Sequence, residues 1–137
     1  MPTKKEKPHN DGKWTPSRFS SFVKSALRQA SQRWPPKHAA LAAARVERGK
    51  YQCAICKRIG PKTLPPKPGN KRRRNNATVD HISPVVPITG FTSWDDIINR
   101  MFCEVDGFQV LCADCHDQKT AEEREQRKEH KDANKES

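Results

Sequence analysis

The chain is short of the residues that build a large core. Hydrophobic residues make up 33% of its 137 positions and aromatic residues only 7%, with one tyrosine. Charged residues, at 31%, are nearly as numerous as hydrophobic ones. So polar a chain buries little apolar surface, and the expectation is one domain held by an extra staple. No apolar run is long enough to cross a bilayer, which argues against a membrane partner. The N-terminal MPTKKEKPHNDGK is basic and lacks the apolar stretch of a secretory signal. A cytoplasmic protein with reduced or metal-bound cysteines is the resulting expectation. Few aromatics interleave with the basic runs, so a stacking platform for single strands is not evident.

Acids are also scarce in the first half. Residues 1–76 hold 20 lysines and arginines against 3 acids, a balance of +17, while residues 77–137 hold 7 against 13, a balance of −6. The net charge of +11 is therefore concentrated in one part of the chain. A cationic surface of this kind suits a polyanion, because neutralised phosphates release counterions.

What is present reads as a mixed α+β chain. Residues 1–14 are expected to form a disordered basic arm. Thr15 followed by Pro16 is a helix start, and Phe19, Phe22, Val23, Ala26, Leu27 and Ala30 recur at helical spacing. This helix should end before Pro35-Pro36. A second is expected from about Lys37 to Arg48, stopped by Gly49. YQCAICKRIG looks like a short hairpin, and residues 60–76 like a basic loop rich in proline and glycine. ATVDHI and GFQVLC read as strands. Between them, Thr92 or Ser93 caps a helix with Trp94, Ile97, Ile98, Met101 and Phe102 on one face. A last helix starts near Asp114, and its polar continuation, 125–137, is expected to fray into a tail.

Cys53-x-x-Cys56 and Cys112-x-x-Cys115 form two knuckles. Two residues between thiolates let one turn present both sulfurs to one ion, and two such turns complete the tetrahedron that structural zinc prefers. The staple required by the small core is thus expected to be a four-cysteine zinc site. Cys103 follows an apolar helix face and is expected to be a packed thiol. Asp80 and His81 stand together in the first strand, and His116 directly follows Cys115. One carboxylate and two imidazoles brought together would suit a divalent metal and proton transfer from water.

With CAIC (53–56), VDHISPV (79–85) and GFQVLCADCHDQKT (107–120) in this order, residues 45–124 resemble the HNH endonucleases, small phage-encoded type with a four-cysteine zinc site. The resemblance implies a ββα-metal core (50–124) with an N-terminal helical, DNA-contacting extension (15–49). It implies that His81 is the general base and that Asp80 and His116 hold one catalytic magnesium or manganese ion. Cys53, Cys56, Cys112 and Cys115 would bind separate structural zinc. Double-stranded DNA would be the substrate, with Lys71, Arg72, Arg73, Arg74 and Lys119 as phosphate contacts. A homing role and a packaging role beside a terminase both remain open, in the cytoplasm of a bacterial host and as a monomer or weak dimer. Gly107 departs from the pattern, since the family's middle asparagine belongs there. That residue orients the base histidine partly through its backbone carbonyl, and Asp106 and Gln109 are the candidates to replace its side chain. Thr120 stands where colicin-type relatives carry another histidine. A zinc-ribbon module that binds nucleic acid without cutting it is the rival reading.

Overall fold

Helix and turn signals near the N-terminus are realised in a small unit of their own. The computed structural model describes residues 6–136, with side chains through Asn134. The chain divides into two compact units, Met1–Arg33 and Trp34–Ser137. In the first, Thr15 caps helix α1 (Pro16–Ser31), its hydroxyl accepting from the Arg18 amide at 3.2 Å. The disordered arm expected over 1–14 lies outside the described residues for 1–5 and is corrected for 9–14. His9 and Trp14 bridge across a tight turn in which Asn10, Asp11 and Gly12 take positive φ. Rings close it: His9 stacks on Phe19 at 4.1 Å, Trp14 meets Phe22 edge-on, and Arg18 lies over the Trp14 ring. Aromatic contacts give this turn an enthalpic reason to form that its polar composition does not show.

The second unit opens with α2 (Pro35–Ala44). The prolines begin this helix, because the first helical positions have no amide to lose. Arg45–Glu47 does not continue it but forms strand β1, so the helix expected to reach Arg48 is four residues shorter. β1 pairs antiparallel with β2 (Lys50–Gln52) across Gly49, whose φ of +75° suits the turn. β2 pairs with β3 (Ile59–Gly60), which is the expected hairpin. The basic loop is less irregular than its composition suggests: β4 (Thr63–Leu64) pairs with β5 (Arg74–Asn75). Helix α2 belongs to this unit, not to an extension spanning 15–49. The indole of Trp34 donates to the Cys103 carbonyl at 2.7 Å and meets Phe102 edge-on.

Strand β6 (Thr78–His81) pairs antiparallel with β7 (Phe108–Leu111), setting Asp80 opposite Gln109 and His81 opposite Phe108. Between them lie α3 (Trp94–Met101), capped by Ser93, and a single 3-10 turn, Val105–Gly107. Ile97, Met101, Phe108, Val110 and Leu111 are buried, and they form the apolar centre. Helix α4 (Ala113–Glu136) follows β7 after one residue. It remains helical where a frayed tail was expected. Arg127 explains part of this persistence, since its guanidinium donates to the carbonyls of Val86 at 2.6 Å and Pro87 at 3.0 Å. The long excursion after β6 is tied to α3 as well, through Arg100, which bonds Asp96, Ser83 and Pro84.

Candidate metal centre and polar face

Four cysteines converge where β2, β7 and α4 meet. The Sγ atoms of Cys53, Cys56, Cys112 and Cys115 all lie within 4.8 Å of one another. The first knuckle is closed by the Lys57 amide on the Cys53 carbonyl, with Lys57 itself at a positive φ of 65°. It is fixed to β7 by the Ala54 amide on the Val110 carbonyl at 2.8 Å. The second knuckle is the start of α4, where the Cys115 amide approaches the Cys112 sulfur at 3.5 Å. A tetrahedral ion with metal–sulfur bonds of about 2.3 Å needs sulfurs about 3.8 Å apart. Cys56 and Cys112 are 3.8 Å apart. The cluster fits a metal ion and is consistent with structural zinc. Cys103 stands outside it.

Without a cation the four thiols cannot ionise together. Burial opposes ionisation of Cys53, but backbone amides of Cys112, Cys56 and Ile55 outweigh it and bring its pKa down to about 6. Burial and neighbouring sulfurs push Cys115 up to about 12, and burial raises Cys112 as well. The Cys53 thiolate is favoured, and those of Cys112 and Cys115 are suppressed. A bound cation is what would let all four lose their protons.

One residue that sequence reasoning passed over braces this corner. The buried amide of Asn76 donates to the Pro61 carbonyl at 2.7 Å, and its oxygen accepts from the Ala113 amide at 3.1 Å. It thereby satisfies one of the free N–H groups at the first turn of α4. Nothing in its local sequence, RNNAT, distinguishes it from a loop asparagine.

The residues expected to form a catalytic centre fall into three adjoining neighbourhoods. Along β6 successive side chains alternate, so Thr78 and Asp80 share one face and His81 turns to the other. Asp80 meets Lys119, whose ammonium lies 2.5 Å from Oδ2, and Gln109, whose amide donates to the same oxygen at 3.2 Å. Lys119 also donates to the His81 carbonyl at 2.6 Å and pairs with Glu123 at 3.2 Å. Both members of the Asp80–Lys119 pair are largely buried, at 17% and 18% side-chain exposure. Burial works against the lysine's charge, but the bonds to Asp80 and Glu123 prevail and its pKa is raised. Lys119, expected as a phosphate contact, is therefore engaged within the protein.

His81 lies at the end of the strand. Its Nε2 is 2.9 Å from the Met101 carbonyl, and its ring packs on Phe108 with centroids 4.9 Å apart. The brace expected from the Gly107 carbonyl is not made: His81 bonds the Met101 carbonyl, and the Gly107 oxygen accepts the Ile82 amide. Gly107 is itself a packing requirement. A Cβ there would stand 2.6 Å from Cys103 Sγ and 2.9 Å from its Cβ, so asparagine has no room. Of its expected substitutes, Gln109 reaches Asp80 and not the histidine.

His116 lies one turn before Lys119 on the same face of α4 and lines a cavity with Lys67, Arg74 and Thr78. Asp80 and His116 thus both lie on the α4 side of β6. Among the described residues, Asp80, His81 and His116 do not draw together into a three-ligand group. One carboxylate and one imidazole are a partial donor set for a divalent ion that keeps most of its water. Of the basic run, Arg73 donates to Thr63 and Arg74 to the Pro65 carbonyl, while Lys71 and Arg72 are exposed. No helix among the described residues is long and apolar enough to cross a membrane. Comparison with family models, with curated proteins and with solved structures gives no match to this chain.

Proposed function

We propose that the chain is a metal-dependent endonuclease that hydrolyses phosphodiester bonds of duplex DNA on a ββα-metal unit made of β6, β7 and α4. The observation that carries this reading is the setting of His81. A carbonyl oxygen can only accept, so the bond to Met101 keeps the proton on Nε2. Nδ1 then holds a lone pair and is the nitrogen free to take a proton from water. Packing against Phe108 restricts the ring's rotation. The attacking water oxygen bonds to phosphorus as its proton passes to His81, the bond from phosphorus to the 3′-oxygen breaks, and that oxygen is reprotonated from solvent.

Asp80 and His116 are the residues that would hold the catalytic ion, magnesium or manganese. When bound, such an ion supplies positive charge to the phosphate and the leaving oxygen. Lys119 neutralises Asp80 otherwise, and the carboxylate must exchange an ammonium for the ion. Zinc at the four cysteines would be structural and would fix the start of α4. The cationic first half of the chain supports a polyanionic substrate. The phage context inferred from the resemblance, with a homing or terminase-associated role, belongs to this same proposal.

The rival reading, a zinc-stapled module that binds nucleic acid without cutting it, draws on the self-satisfied Asp80–Lys119 pair. Cleavage of supercoiled plasmid by wild type and by His81→Ala separates the two. The nuclease reading expects nicked or linear product in magnesium or manganese from wild type alone.

A further inference from the structure

The basic loop before β6 is not spread evenly over the surface. The β4–β5 pairing folds it back, and the turn closed by the Asn70 amide on the Lys67 carbonyl at 2.9 Å brings Lys67 round toward Arg74. Both line a cavity of about 220 Å³ with Asn75, Thr78, His116 and Asp117. Ala113, the first residue of α4, forms part of its wall, so the positive end of the helix dipole contributes as well. Arg74 uses Nε on the Pro65 carbonyl at 3.1 Å, which fixes the guanidinium and leaves its two terminal nitrogens without a partner among the described residues. The Lys67 ammonium has no partner among the described residues. Two cations face one acid, Asp117, in a concave space beside His116.

We infer that this cavity is a phosphodiester subsite of duplex DNA, in which Arg74 and Lys67 hold one backbone phosphate next to the one that is cut. The inference rests on the nuclease reading, and it divides the KRRR run by role. Arg74 belongs to a built site together with Lys67, which lies outside the run. Lys71 and Arg72 supply only general positive field. A guanidinium already fixed at Nε loses little freedom on gripping a phosphate, and Thr78 and Asn75 offer further polar groups.

The test uses full-length, metal-loaded protein and a short synthetic duplex, with no magnesium or manganese added so that nothing is cut. Fluorescence anisotropy across a salt series is expected to show Arg74→Ala and Lys67→Ala each weakening binding about three- to tenfold and lowering the salt slope by about one unit. Arg72→Ala should change the affinity less than either. Nitrogen-edited NMR of the wild type should show the duplex shifting the Arg74 Nε–H and the Ala113 amide, a readout independent of any variant's folding. Unchanged Arg74 and Ala113 signals on saturation, or equal effects of Arg72→Ala and Arg74→Ala, would overturn the subsite. Neither readout needs catalysis. Binding at this cavity by a chain that never cuts would keep the subsite and remove the nuclease, whereas cutting with the cavity undisturbed would do the reverse.

Discussion

Two polar clusters flank the first turns of α4, and they differ in whether their charge is complete. The four cysteine sulfurs crowd together, and Cys53 ionises readily while Cys112 and Cys115 resist it. One turn further along, Asp80 already has its cation in Lys119, and Gln109 occupies the same oxygen. The first cluster is unfinished without an outside ion. The second is finished by the chain itself and can be opened. A metal should accordingly be indispensable to the fold at the cysteines and exchangeable at Asp80.

The largest effect expected from this contrast is loss of the second unit when the cysteine metal is removed. Structural zinc sites are worth on the order of 10 kcal/mol, so a strong chelator, or Cys112→Ser, should abolish cooperative thermal unfolding followed by circular dichroism. A chain that melts at the same temperature with and without metal would erase the distinction between the clusters. Next in size is Gly107→Asn, which introduces the asparagine that the resemblance to HNH endonucleases expects there. It should cost about 1–3 kcal/mol from overpacking against Cys103, measured as a fall in the urea midpoint, and should not improve cleavage.

Opening the second cluster should cost less. Lys119→Met leaves Asp80 with Gln109 alone, and because the pair keeps some solvent contact the loss should be about 1–2 kcal/mol. Urea titration measures the loss, and manganese binding to Asp80 should strengthen in the same variant. The smallest effect is in pH. The folded pKa of Lys119 lies above its ordinary value of 10.5. The stabilisation it carries is therefore complete below that ordinary value and is lost as pH rises through the higher folded one. The stability gap between wild type and Lys119→Met should be constant through neutral pH and close only in strong alkali. A gap that closes between neutrality and mild alkali would contradict the raised value.

The same contrast governs how much was legible in the sequence. Paired CxxC spacing declares its own geometry, so the cysteine cluster could be read directly. The β6 and β7 segments carried enough strand-forming residues to be placed within a residue or two. Lys119 was harder, although a signal existed: it follows His116 by three residues and so shares its helix face, opposite the only acid on β6. The continuation of α4 depends on Arg127 reaching carbonyls forty residues away in sequence, which no local pattern encodes. The two-residue strands β4 and β5 are too short for alternation to register. Gly107 looked like a missing brace, and it is instead the consequence of Cys103 packing close behind it.

Proton transfer from water to Nδ1 of the proposed base His81 is open to a direct check by supercoiled-plasmid cleavage in magnesium or manganese. Zinc-loaded wild type should produce nicked or linear DNA. His81→Ala, shown by circular dichroism to be folded, should be slower by about a hundredfold or more. Equal cleavage by both proteins would remove His81 from the chemistry, and no cleavage by either would leave the chain as a zinc-stapled module that binds nucleic acid without cutting it.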